Sequence, residues 1–500
     1  MSGLPQPPAV DPHGSATIIA RDVMAGRLRA AHVLAVRMER HAVSGGRLNA
    51  LVQQRWAAAA AEADTIDARV AAGELHDAPL AGVPVSVKEC FAVRGLSTTL
   101  GIKARRGLAD ADDAPLVKQL RAAGAVIVGK ANVPQAMYLH ETDNPVWGRT
   151  LHPADPSRGP GGSSGGDAAL VAAGVVPLGV GNDLAGSLRQ PAHACGIAAL
   201  VPRSAALGDG GAFATMPGLT AVRPRAGFLA RCVEDLRLAL DAVTAIGQTQ
   251  PVIRRVAWWD DSGPIPSSPA VRRGVHEAVA RLSKQGIEVN RLPGDLAGEA
   301  AWLLLAILAA DGGENVRRLF AGERPMPGVR RLLAIAGVPR RWRPVVVAAA
   351  RFVGRRTEAE GVRRTGRRSR EEFASLLADR EALADRFAAA VSGYDAVICP
   401  VSAVPALRHG TAARLVLAAA PCLLANLLEL AVGAVPVTAV QPEEERGRRW
   451  SLDPVLRAAA ATDRGSRGLP IGVQVVGCPG RDEAVVLEVM RMIESGPARG

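Results

Sequence analysis

Lysine is almost missing from this chain: of its 60 basic residues, only Lys88, Lys103, Lys118, Lys130 and Lys284 are lysine, and the other 55 are arginine. A lysine that persists against such a bias carries more information than usual. Aromatic residues are also few, at 3%, which leaves little from which to build the stacking platforms of single-stranded nucleic-acid binders. The six cysteines (Cys90, Cys195, Cys232, Cys399, Cys422 and Cys478) lie far apart, with no C-x-x-C and no nearby histidine pair. Neither a zinc site nor a disulfide framework is expected, and the thiols read as buried groups in a reducing compartment. The Pro-rich, polar N-terminus lacks the charged-then-apolar pattern of a signal segment. The longest apolar run, 415–440, is broken by Pro421, Asn426, Glu429 and Pro436, which suits a buried helix and strand and not a membrane span. A cytoplasmic protein is expected.

What is present is an apolar fraction of 48%, with 53 glycines and 35 prolines spread over 500 residues. That composition excludes a disordered, collagenous or coiled-coil chain and is ample for a deep core. The net charge of +12 is local: between Arg317 and Arg370, 16 arginines face three acids (Glu323, Glu358 and Glu360), so that this segment carries +13 and the remainder −1. The charge belongs to a patch and not to the fold as a whole. Periodicity predicts two amphipathic helices over 15–72, then strands at 83–87, 125–128 and 175–180 alternating with helices at 114–123 and 167–173. Strands at 254–259 and 286–292 frame a helix at 268–284, and 301–392 is helical and Arg-rich. Strand texture returns at 396–399, 435–440 and 472–476 before a helix at 482–494. The alternation predicts an α/β fold, one domain with a helical insertion in its second half.

Three strings carry chemistry. Gly161-Gly162-Ser163-Ser164-Gly165-Gly166 is followed by Asp167 and so lacks the Gly-Lys-Ser/Thr ending of a phosphate loop. It matches G-x-S-x-G, but a nucleophile elbow needs a buried strand before it, and 152–160 is polar and broken by three prolines. The plain alternative is a flexible Ser/Gly loop. The second string, Gly181-Asn182-Asp183-Leu184-Ala185-Gly186-Ser187, places Ser187 24 positions after Ser163. The third, Gly82-Val83-Pro84-Val85-Ser86-Val87-Lys88-Glu89-Cys90, puts a rare lysine at the end of an apolar strand. Alone, Lys88 reads as a solvated strand end and Ser187 as a helix cap.

Together, the three strings resemble the amidase signature family. The resemblance covers roughly residues 78–240 and 390–495. Lys88-Glu89-Cys90-Phe91, Ser97-Thr98-Thr99-Leu100-Gly101, Asn132-Val133-Pro134-Gln135 with Met137, Asn144-Pro145-Val146-Trp147-Gly148 and Ala434-Val435-Pro436-Val437-Thr438 point to its fatty-acid-amide-hydrolase-like branch. It implies a central mixed sheet flanked by helices. The parts are 1–75, helices packing on the core; 76–252, the core with the triad; 253–395, a smaller α/β segment and Arg-rich helical cap; and 396–500, the C-terminal part of the core.

The resemblance also implies roles. Ser187 is the acyl-accepting nucleophile, Ser163 a bridging serine after a cis peptide bond, and Lys88 the general base, able to serve once burial keeps it neutral. The amides of Leu184, Ala185, Gly186 and Ser187 are expected to cradle the oxyanion, and Met137 to lie beside the acyl group. Three departures stand out: Ala185 replaces a usual glycine, Asn182 a usual Ser or Thr, and Ala199-Leu200-Val201-Pro202 a usual Gly-Leu-Lys-Pro. The expected activity is hydrolysis of apolar, fatty acyl amides, without metal or organic cofactor. Partners are a small-molecule amide and an anionic membrane surface, met peripherally through 317–370 and its Arg340, Arg341, Arg343, Arg355 and Arg356; no nucleic acid is expected, and a homodimer is left open. The competing readings are a non-catalytic membrane- or nucleic-acid-binding relative, a degenerate, inactive one, and a glutamine-hydrolysing amidotransferase subunit.

Overall fold

The valine-rich runs bounded by glycine and proline become strands of one sheet in the computed structural model, which describes residues 11–495 other than 12, 218, 245–249 and 262. In chain order they are β1 (Leu51–Gln54), β2 (Pro84–Lys88), β3 (Val126–Ala131), β4 (Leu178–Asp183), β5 (Ala198–Val201), β6 (Arg225–Ala230), β7 (Arg255–Trp258), β8 (Glu288–Arg291), β9 (Ala396–Pro400), β10 (Val432–Ala439) and β11 (Pro470–Gly477). Across the sheet the order is β1-β3-β2-β4-β6-β5-β10-β11-β9-β7-β8. β2 runs parallel to β3 and β4, and β9 parallel to β7, whereas the strands from β4 through β6, β5, β10 and β11 pair antiparallel. The sheet is therefore mixed, as expected. Every residue of β2, β3, β4, β6 and β9 is buried, which requires cover on both faces. The helix Glu483–Glu494 shows how that cover forms: Val486, Val489, Met490 and Ile493 recur at helical spacing on its buried side, and the Asp482 carboxylate caps the Val485 N–H.

Two expectations need correction. The segment 15–72 holds three main helices, Ala16–Met24, Ala30–Arg40 and Trp56–Ala71, with the edge strand β1 between the last two. β1 reads Leu-Val-Gln-Gln and pairs antiparallel with β3, so its polar half gives no alternation to detect. The strand expected at 175–180 begins three residues later, because the Val175 N–H turns back to the Leu170 carbonyl and closes the preceding helix through Gly174 at φ +72°. The first ten residues, on which the missing signal segment was read, lie outside the described residues. Among the described residues no helix is long and apolar enough to cross a membrane.

The Arg-rich segment folds into short helices, including Asp295–Leu308, Glu314–Leu319, Pro327–Ala336, Arg343–Phe352 and Arg356–Arg364, followed by the long helix Arg370–Ala390. They form a cap beside the sheet. Its outer surface exposes Trp342, Val345, Phe352 (92%) and Val353, together with Trp450 (82%) and Leu452 from a separate loop. The Thr357 N–H bonds the Asp453 carboxylate at 2.7 Å and so ties that loop to the cap. Arg340, Arg341, Arg355 and Arg356 are exposed. Arg343, expected among them, is buried and donates to the Val338 and Arg367 carbonyls at 3.2 and 3.3 Å. It holds the cap together and does not face solvent.

Candidate active site

β2 ends at Lys88 and lies next to β4, which ends at Asn182 and Asp183, so parallel pairing brings the lysine and the 181–187 string to one edge of the sheet. The glycine stretch meets the lysine through Ser163. Its closeness to the core needs glycine: a Cβ at Gly166 would collide with the Asn132 backbone. The Gly162–Ser163 peptide is cis. Lys88 Nζ lies 2.7 Å from Ser163 Oγ, 2.7 Å from Asn182 Oδ1 and 3.3 Å from the Asn182 carbonyl. The Ser164 N–H donates to the Ser187 carbonyl at 3.1 Å, fastening the two serine segments to each other.

Lys88 is fully buried, and burial lowers its ammonium pKa from the usual lysine value. Two residues earlier on β2, the Ser86 hydroxyl donates to Asp167 Oδ1 at 2.7 Å, and burial pushes that carboxyl up to about 7. Beside Ser187, burial alone would raise the Asp183 carboxyl, but the Arg189 guanidinium and the Gly186 and Leu188 amides hold it well below the usual range. Asp183 accepts from Gly186 N–H at 2.8 Å, Leu188 N–H at 3.1 Å and Arg189 Nη2 at 2.9 Å. Arg189 in turn donates to the Cys422 carbonyl at 2.9 Å and to Gln474 Oε1 at 2.8 Å. His140 Nε2 sits 3.1 Å from the Ala185 carbonyl, with the ring pushed down to about 4 by burial, so that it is neutral near pH 7 and donates there.

Two cavities meet at Ser187. The first, about 220 Å³, is walled by Met137, Leu184, Trp302, Leu305, Leu308 and Ile335, with Ala185 and Ser187 also in its lining. The second, about 240 Å³, is lined by Met137, Ser163, Asn182 and Ser187 and has Asp209 and Arg223 among its outer residues. Ser163, Ser187, Met137 and Leu184 line one cavity, Ala185 the adjoining one, and Lys88 reaches Ser163. Gly186 differs: its N–H is taken by Asp183, its φ is +97°, and a Cβ there would run into Cys422. Among the described residues the amides of Leu184, Ala185 and Ser187 donate to no protein acceptor, which leaves these three for an oxyanion. Asp183, Arg189 and His140 were not singled out from the sequence, and Asn182 only as a departure. A signal existed for the first two: an Asp and an Arg set in an apolar, glycine-rich string must be buried as a pair. Among the described residues no group of three or more His, Cys, Asp or Glu side chains is arranged to hold a metal ion.

The lysine–serine contact is buried at a strand end, and a second serine lies on the wall of the cavity that Ser163 lines. The Amidase family profile matches residues 33–486, and the chain belongs to the amidase signature family of amide-bond hydrolases. It is 31% identical over 459 residues to fatty-acid amide hydrolase 1 of Sus scrofa, covering 84% of this chain and 76% of that one. It is 36% identical over 300 residues to the indoleacetamide hydrolase of Bradyrhizobium diazoefficiens, covering 56% of this chain and 56% of that one. A solved fatty acid amide hydrolase is similar in fold, with a TM-score of 0.81 and 20% identity, over 97% of this chain and 86% of that one.

Proposed function

We propose that this enzyme hydrolyses amides of apolar, long-chain acids through Ser187, Ser163 and Lys88. The observation that carries the reading is the buried Lys88–Ser163 contact of 2.7 Å on the edge of a cavity that also holds Ser187. Ser187 Oγ attacks the amide carbonyl, its proton passing to Ser163 Oγ while the Ser163 proton moves to Lys88 Nζ. The amides of Leu184, Ala185 and Ser187 receive the oxyanion. Collapse breaks the carbon–nitrogen bond, and the amine takes a proton from Ser163, which regains one from Lys88. Water, deprotonated along the same relay, releases the acid from the Ser187 ester.

The first of the two chambers supports an apolar acyl group. Each methylene buried there contributes about 0.8 kcal/mol, or about fourfold in kcat/KM. The exposure of Trp342, Phe352 and Trp450 and of Arg340, Arg341, Arg355 and Arg356 supports peripheral docking to an anionic membrane from the cytoplasmic side. The test is a panel of primary amides of graded acyl length, with the mass of the trapped acyl-enzyme as readout. The expected result is acylation on Ser187 that steepens with chain length until the chamber is full. Turnover of glutamine with no response to chain length would favour the amidotransferase reading instead.

A further inference from the structure

We propose that Asn182 is the positioning residue that aims the Lys88 lone pair at Ser163; this rests on the Ser–Ser–Lys reading above. A neutral primary amine has two N–H bonds and one lone pair. Lys88 Nζ has three oxygen neighbours: Asn182 Oδ1 at 2.7 Å, the Asn182 carbonyl at 3.3 Å and Ser163 Oγ at 2.7 Å. Both Asn182 oxygens can only accept, so they take the two N–H bonds and leave the lone pair for the Ser163 hydroxyl. Once protonated, the ammonium has three donors for the same three oxygens. One cage therefore serves both protonation states without rearranging, which is what a base in a proton relay needs.

Asn182 is fixed for this purpose. It is 5% exposed, and its backbone pairs with Ala226 in the ladder between β4 and β6. The chain holds a second buried lysine that shows the contrasting design. Lys130 Nζ faces the Asp110 carboxylate at 2.8 Å, with Thr98 Oγ1 at 2.8 Å and the Ser97 carbonyl at 3.0 Å. Within hydrogen-bond reach Lys130 thus meets a carboxylate, whereas Lys88 meets the neutral oxygens of Asn182 and Ser163, with Cys90 and the Asp167 and Asp183 carboxylates acting on it against the effect of burial. The residue that departs from the family's usual Ser or Thr is thus the one that supplies two of the three oxygens around Lys88 Nζ.

The experiment measures kcat/KM against pH for the full-length parent and for Asn182→Asp, Asn182→Leu and Asn182→Thr, using one soluble short-chain amide. Asn182→Asp places a carboxylate beside Nζ, and the acid limb should move up by about one pH unit or more. Asn182→Leu should lose about 100-fold at the plateau, because the amine is no longer oriented, and Asn182→Thr, which keeps one acceptor, should recover part of that loss. An Asp variant whose acid limb stays in place, or variants all slowed by one factor at every pH, would overturn the proposal. Should Asn182→Leu fail to fold, the Asp and Thr profiles decide alone. Lys88→Ala run alongside separates the two claims: full activity without Lys88 sinks the triad, while a dead Lys88 variant beside unaltered Asn182 profiles sinks only the positioning role of Asn182.

Discussion

Around Ser187 the charged groups are sealed inside protein, whereas on the cap most of them stand in water. Asp183 and Arg189 are both fully buried and share their remaining hydrogen bonds with the Gly186 and Leu188 amides, with Cys422 and Asn426, and with Gln474. On the cap, Arg340 is 77% exposed and meets Glu372 at 3.1 Å, and Glu360 alone serves Arg351, Arg363 and Arg364. The apolar residues are placed the opposite way: valines fill the sheet, while Trp342, Phe352 and Trp450 lie outside. Buried charge in this chain fixes geometry and proton affinity. Exposed charge, which costs little to rearrange, is suited to meeting a surface.

The largest effect that would break this contrast lies at Lys88. Lys88→Ala should fold and lose about 10³-fold in kcat/KM at neutral pH. Because burial lowers the lysine pKa, the neutral, active form of the parent grows as pH rises through that value and then levels off; the variant should instead keep rising as hydroxide replaces the base. A stopped assay over pH 6–10 distinguishes the two profiles. Next comes Asp183→Asn, which leaves Arg189 buried without its counter-ion and should cost about 3–5 kcal/mol in denaturant unfolding. Its counterpart on the cap, Glu360→Gln, should cost no more than about 1 kcal/mol, since the arginines it serves remain solvated. Equal losses at the two sites would erase the distinction. The smallest effect concerns the cap's encounter surface. Reversing Arg340, Arg341, Arg355 and Arg356 to glutamate should abolish flotation with anionic liposomes and slow long-chain amides about tenfold, with each basic residue near the surface worth about 1 kcal/mol. Short, soluble amides should be turned over at the parent's rate; an equal loss on both would mean simple destabilisation.

How far the sequence revealed these features varies with how local their cause is. Lys88, Ser163 and Ser187 stood out only when their three strings were read together as a family resemblance; alone, the lysine read as a solvated strand end and Ser187 as a cap. Most core strands were visible through their valine runs. β1 was not, because Leu-Val-Gln-Gln pairs at a half-solvated edge and has no apolar alternation. The start of β4 was misplaced because a helix-closing turn and a strand look alike in Val175-Val176. His140 escaped notice because its partner, the Ala185 carbonyl, lies 45 residues away. The cap's exposed apolar residues were only partly legible: Trp342 and Phe352 are local to the Arg-rich segment, but the loop that carries Leu452 is tied to it only through folding. Arg343 was indistinguishable by composition from its exposed neighbours, and only packing sets it apart.

The central claim is that Ser187 is the acyl-accepting atom in a relay with Ser163 and Lys88. A serine-reactive fluorophosphonate followed by peptide mass mapping tests it most directly. The account predicts a single adduct on Ser187, absent in Ser187→Ala and much slowed in Lys88→Ala. An adduct on Ser163, or labelling that persists in Ser187→Ala, would contradict it.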